Sequence, residues 1–238
     1  MISALVSAKR QGGAAARALT IAIVGAESTG KTTLAAGLAA QLARDTGLRV
    51  AWVPEALRAW CDNVGRTPQA QEQASILHQQ QANIDAATAL NDVVVCDTTA
   101  LMTAVYSRMF FGDLSLEARA VQLHRRVTLT LLTALDLPWV ADGRQRDGPH
   151  VQAPVDALLR ELLLKHRLPW ALVGGSGPAR LERALDAVAP LLRARAGAGN
   201  GSRGLFTRLA ARGAETSGQR WACECCEMPA CKRVMRKA

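Results

Sequence analysis

One short stretch carries the densest chemistry in this chain. Gly25-Ala-Glu-Ser-Thr-Gly30-Lys31-Thr32-Thr33 satisfies the pattern G-x-x-x-x-G-K-[ST] in full, between an apolar β-branched run and an alanine- and leucine-rich segment. A strand–loop–helix of this kind curls backbone N–H groups around an anion, and the helix N-terminus adds partial positive charge. Gly25, Ser28, Thr29, Gly30, Lys31, Thr32 and Thr33 are therefore the expected contacts for the phosphates of ATP. Lys31 is expected to reach the β- and γ-phosphates, and Thr32 to set its hydroxyl on Mg²⁺. Glu27, inside the loop, either touches substrate or faces solvent.

Three further groups have the residue types that phosphoryl transfer needs. Asp97 ends the run Asp92-Val-Val-Val-Cys-Asp97. An acid there can hold Mg²⁺ directly or through water, accept a proton from a substrate hydroxyl, or merely cap the next helix. Metal ligand and general base both stay open. Glu55 and Arg58, in Val53-Pro-Glu-Ala-Leu-Arg58, follow another apolar run, and Pro54 puts Glu55 in the first turn of a helix. The pair suits ribose hydroxyls or proton abstraction, and equally a surface ion pair worth about a few tenths of a kcal/mol. The turn-rich segment Asp142-Gly-Arg144-Gln-Arg146-Asp-Gly148 is expected to close over a triphosphate. A guanidinium spreads its charge over a planar fork and can stabilise the equatorial oxygens of a transferring phosphoryl group, which makes Arg144 and Arg146 catalytic candidates.

The elements that must position these residues alternate along the chain. Leu19–Val24, Leu48–Val53, 92–97, Val127–Leu132 and Pro169–Val173 read as buried strands. Between them, segments starting at Leu34, Glu55, Gln69, Thr99, Ser115, Val155 and Ala179 read as helices, Gln69–Asn91 as a single long one. Strands that are nearly continuous in apolar residues and alternate with helices imply a parallel sheet covered on both faces. Ligands of such sheets bind beyond the carboxyl ends of the strands, where Gly25, Glu55, Asp97 and the segment after Leu132 all fall.

The 238 residues are 49% hydrophobic, enough for a sizeable core in one α/β domain. No uninterrupted apolar run approaches the length of a membrane span, and the residues before Leu19 lack a signal-peptide core, so a cytoplasmic location is expected. The formal charge of +9 is uneven: from Arg193 onward there are ten Lys or Arg against three Glu, leaving +7 there and +2 on residues 1–192. Four of the six cysteines (Cys223, Cys225, Cys226 and Cys231) crowd into the same stretch. They are open to Zn²⁺ binding, to redox or intermolecular thiol chemistry, or to no ordered role. A basic, metal-ordered tail would suit nucleic acid or an acidic partner, and a soluble tail without a partner explains the charge as well. The expected organisation is a leader over 1–18, a catalytic domain over 19–195, and a glycine-rich linker and basic tail over 196–238.

Taken together, the phosphate loop, Val-Pro-Glu-x-x-Arg, Asp97-Thr-Thr and Trp139-Val-x-Asp-Gly-Arg144 resemble the ribosylnicotinamide kinase module of the NadR family and related small P-loop ATPases. The likeness spans about residues 19–190. It implies a P-loop fold of the nucleoside- and nucleotide-kinase kind and transfer of the ATP γ-phosphate to the 5′-hydroxyl of nicotinamide riboside. By the same resemblance Asp97 lies at the reacting hydroxyl and metal, Glu55 and Arg58 near the nucleoside, and Asp142 and Arg144 in a lid. The His-x-Gly-His element of the family's adenylyltransferase domain does not occur, and the expectation is the kinase module alone. A nicotinamide ring calls for aromatic partners, for which Trp60, Tyr106, Phe110 and Trp139 are the candidates. A regulatory ATPase that works through its tail is the competing expectation.

Overall fold

The computed structural model describes residues 17–140 and 148–198. Five strands, β1 (Leu19–Val24), β2 (Val50–Val53), β3 (Val93–Asp97), β4 (Leu129–Thr133) and β5 (Trp170–Val173), form one sheet in the order β2-β3-β1-β4-β5, every pairing parallel. The helices are α1 (Lys31–Thr46), α2 (Ala56–Val64), α3 (Gln73–Leu90), α4 (Ala100–Phe111), α5 (Glu117–His124), α6 (Gln152–Lys165) and α7 (Gly177–Ala198).

The strands read as apolar runs because both faces are covered. Ile21 and Ile23 pack with α1 and α7, while Ala22 and Val24 turn to the opposite side against α4 and α6. This is the two-residue alternation of a strand, with each side fully buried. Register then fixes the site. Ile23 lies opposite Asp97 and Val24 opposite Leu132, so the loop that begins at Gly25 leaves the sheet beside the end of β3. The chain runs from central β1 out to β2, back to β3, then across to β4 and β5, and the crevice forms where the direction reverses.

One local expectation is refined and one corrected. The segment read as one helix from Gln69 opens with a 3₁₀ turn, Ala70–Glu72, that runs directly into α3. Gln69 and Glu72 form a capping box at this start, Glu72 accepting from the Gln69 N–H at 2.7 Å while pairing with Arg66 at 2.7 Å. Glu55 is the residue before α2 rather than part of its first turn, with an extended ψ of 119°.

His124 is buried at the end of α5, its Nδ1 2.9 Å from the Thr99 hydroxyl and its Nε2 2.7 Å from the Thr130 hydroxyl. Burial pushes its pKa down from 6.5 to about 4, so it is neutral in the folded protein. The unfolded chain takes up the proton first. The stabilisation is therefore complete above pH 6.5 and is lost progressively as pH falls toward 4, by about 3 kcal/mol at most. The melting temperature should fall across that window, and His124→Gln should flatten the fall. An unaltered slope in the variant would place the acid sensitivity in other groups.

Candidate active site

The phosphate loop is held open by its backbone and tied down from three sides. Gly25 has φ 154°, and a Cβ there would sit 1.9 Å from Thr133 Oγ1, so only glycine lets β4 close on the loop. Ser28 (φ 58°) and Gly30 (φ 75°) take left-handed conformations that turn the chain into α1. Thr29 Oγ1 donates to the Ala26 carbonyl at 2.7 Å and lies 2.7 Å from Thr133 Oγ1, so its hydroxyl serves the loop itself. Lys31 Nζ also donates to the Ala26 carbonyl, at 2.8 Å. Val140 N–H donates to Ser28 Oγ at 2.7 Å, and Gln152 Nε2 donates to the Glu27 carbonyl at 2.7 Å.

The third tie comes from α7 and was not foreseen. Arg180, 4% exposed, donates through Nη1 to the Thr29 carbonyl and through Nη2 to the Ala134 carbonyl and Asp136 Oδ1. Asp136 Oδ2 in turn accepts from the Gly175 N–H. One guanidinium thus joins the phosphate loop to the segments that follow β4 and β5.

Asp97 ends β3 at 1% exposure, behind Thr32, whose hydroxyl hydrogen-bonds its carboxylate. Burial raises its pKa, and the Thr32 hydrogen bond and the charges of Lys31 and Arg58 pull it back down. Its Oδ1 is buried without a partner among the described residues. Helix capping is not its task, because Thr99 caps α4 by accepting from the Leu101 N–H at 3.3 Å. A threonine hydroxyl beside a carboxylate with an unpartnered oxygen is a hard-oxygen donor set. It fits Mg²⁺, which takes one or two protein ligands and keeps several waters.

A cavity of about 620 Å³ opens over the loop. It brings Glu27, Ser28 and Lys31–Thr33 together with Glu55, Arg58 and Tyr106. Phe111 and Gln73, which the sequence analysis did not single out, border it as well. Tyr106 stacks on Phe110 with ring centroids 5.9 Å apart, and both line the same wall. Trp60 instead packs under the Arg66 guanidinium, 5.1 Å from its ring centroid. Behind the wall, Gln80 Oε1 accepts from the Ala56 N–H at 2.6 Å and its Nε2 donates to the Thr98 carbonyl at 3.5 Å, linking the start of α2 to the end of β3. The signal that could have found Gln73 and Gln80 is their spacing: two polar residues seven apart along the stripe of Ile76, Leu77 and Ile84.

Asp142, Arg144 and Arg146 lie outside the described residues, as do Cys223, Cys225, Cys226 and Cys231. Among the described residues no cluster of three or more His, Cys, Asp or Glu could hold a metal, and Cys61 and Cys96 are buried free thiols. No described helix is long and apolar enough to cross a membrane.

A parallel sheet of order 2-3-1-4-5 with this loop after its central strand defines a P-loop nucleotide-binding domain, and the helices on both faces give it the form of the P-loop kinases. More particularly, the chain belongs to the AAA domain family, whose sequence model matches residues 20–180. Among solved structures it is similar to a NadR protein in complex with NR, with TM-score 0.60 and 21% identity over 73% of this chain and 50% of that one. A NadR protein in complex with NAD and AMP-PNP gives TM-score 0.57 and 19% identity over 73% and 49%. The chain thus spans about half the length of these NadR chains. Thymidylate kinase from Ehrlichia chaffeensis gives TM-score 0.53 and 17% identity over 74% of this chain and 99% of that one. No curated protein matches the sequence. At these identities the likeness is one of fold.

Proposed function

We propose that this protein is an ATP- and Mg²⁺-dependent kinase that phosphorylates a nucleoside-like hydroxyl, with nicotinamide riboside as acceptor and nicotinamide mononucleotide as product. The observation that carries this reading is the single cavity in which a phosphate loop meets a carboxylate at the end of β2 and an aromatic wall on α4. A phosphate loop alone suits any ATPase, whereas the added wall gives a flat ring and its sugar somewhere to lie. A nicotinamide ring in its riboside is cationic, and Tyr106, Phe110 and Phe111 offer it π-faces. The similarity to a NadR protein in complex with NR agrees with that choice.

The residues divide the work as follows. Loop N–H groups and Lys31 bind the β- and γ-phosphates. Thr32 and Asp97 would hold Mg²⁺, which when bound neutralises charge on those phosphates and templates the transfer. Because Asp97 is reached through Thr32, this reading puts it on the metal side of the reaction. Glu55, together with Arg58, takes the ribose hydroxyls, and Glu27, inside the loop, orients the attacking one. Arg144 and Arg146 are assigned to the charge that develops on the transferring group, and Asp142 to the closing lid.

ADP release from Mg-ATP, with and without nicotinamide riboside and a panel of other nucleosides, tests the proposal. Strong stimulation by nicotinamide riboside is the expected result. Stimulation by a different nucleoside would keep the kinase and replace the acceptor. ATP turnover indifferent to every nucleoside would overturn the kinase and favour an ATPase that acts on a macromolecular partner.

A further inference from the structure

Gln73 and Gln80 lie on the same buried stripe of α3, and their amides are treated differently. Gln80, 2% exposed, has both ends of its amide hydrogen-bonded within the protein. Gln73, 3% exposed, borders the acceptor cavity, and its Oε1 is buried with no partner among the described residues. A buried amide oxygen left without a donor is unfavourable, and native structures seldom keep one without a use. The groups around it do not supply the donor. Arg66, next along the cavity wall, donates through its two terminal nitrogens to Glu72 and the Thr67 carbonyl. Stacking on the rings of Tyr106 and Phe110, which line the same cavity, would hold a base by its faces rather than by its edges.

We propose that Gln73 reads the base of the acceptor: its primary amide pairs with a carboxamide, or with another edge that sets an N–H donor beside an acceptor, and selects such bases over carboxylates. This rests on the nucleoside-kinase reading above. The chemistry of the two groups makes the choice. An amide facing an amide donates one hydrogen bond and accepts one, whereas a carboxylate only accepts and would confront Oε1 with a second oxygen. A site built around a substrate N–H rejects the analogue that lacks it, because its own polar group is then left unpaired.

The test is kcat/KM for nicotinamide riboside and for nicotinic acid riboside with the full chain, as wild type, Gln73→Leu, Gln73→Met and Gln80→Leu. Wild type should favour the amide at least tenfold. Gln73→Leu and Gln73→Met should lose that preference through a raised KM for the amide, with the acid's kcat/KM within twofold of wild type and the melting temperature not lowered. Gln80→Leu should lower the melting temperature and leave the preference in place. A wild-type preference that survives in both Gln73 variants overturns the proposal, as does its absence from wild type. If wild type phosphorylates neither riboside but accepts other nucleosides, nicotinamide riboside falls as the acceptor, and adenosine against purine riboside, which lacks the exocyclic N–H, decides the role of Gln73 by the same ratio. If no nucleoside is turned over, calorimetric titration of the two ribosides decides it: equal binding, or binding of neither, overturns it.

Discussion

Asp97→Asn is expected to lower turnover on the order of 10³-fold while raising the melting temperature of the ligand-free protein. The two effects have one origin. Burial is the largest influence on Asp97 and holds its pKa above the ordinary carboxylate value, so the ionised form weighs against folding at neutral pH. The sign follows from linkage: with the folded pKa raised, the folded state binds the proton first, and stability rises as pH falls through that pKa toward the unfolded value near 3.8. Asparagine keeps the shape and an oxygen for the Thr32 hydroxyl but carries no charge to desolvate. It also removes the anionic oxygen that would share Mg²⁺ with Thr32, and a thousandfold loss is about 4 kcal/mol of transition-state stabilisation. ADP release and thermal melts with and without Mg-ATP measure both. In the variant the ligand-free melting temperature should be higher, and the rise on adding Mg-ATP smaller. His124 acts in the opposite direction as pH falls, so Asp97→Asn is best compared in a His124→Gln background. A variant that melts lower yet turns over normally would make Asp97 a structural partner of Thr32 and Lys31.

How much of this was legible in the sequence follows from the range of the interactions. The phosphate loop is local: the glycine spacing and the flanking runs sit within one strand–loop–helix, and the structure returns it intact. The strands were legible because Val93–Asp97 is buried along its whole length and must read as nearly unbroken apolar residues. Asp97 fell at the end of β3 as expected, and the cap of α4 went to Thr99, which could fill that position equally well on sequence grounds. Arg180 was invisible for the opposite reason. Its partner in the loop, Thr29, is 151 residues away, and an arginine in the first turn of a helix ordinarily reads as a solvated charge. Thr133 was likewise unremarkable until the register of β4 against β1 set its hydroxyl where a side chain on Gly25 would go. Tyr106 and Phe110 were named one by one, although their four-residue spacing on a helix already puts their rings on one face.

Asp136→Ala is expected to lower the melting temperature on the order of 10 °C and to weaken ATP binding at the same time. Asp136 is the counter-charge of the Arg180 guanidinium, whose side chain is only 4% exposed and whose Nε is buried without a partner among the described residues. Removing one member of a buried pair leaves a charge with nothing to offset its lost hydration, which costs about 3–5 kcal/mol, or roughly 2–4 °C for each kcal/mol in a domain of this size. The same carboxylate holds the Gly175 N–H, so the loop before α7 loosens as well. Arg180→Met differs in kind, because it removes the buried charge instead of its partner. It should therefore melt higher than Asp136→Ala, yet still bind ATP poorly, since the Thr29 carbonyl loses the guanidinium that fixes the phosphate loop. The double variant Asp136→Ala/Arg180→Met should be no less stable than Asp136→Ala alone, because the stranded charge has gone. Melts and ATP titrations of the three variants separate these cases. Asp136 itself is 38% exposed on its side chain. Water reaching Arg180 from that side would reduce the pair to a surface ion pair worth under about 1 kcal/mol, and an unchanged melting temperature in Asp136→Ala would show it.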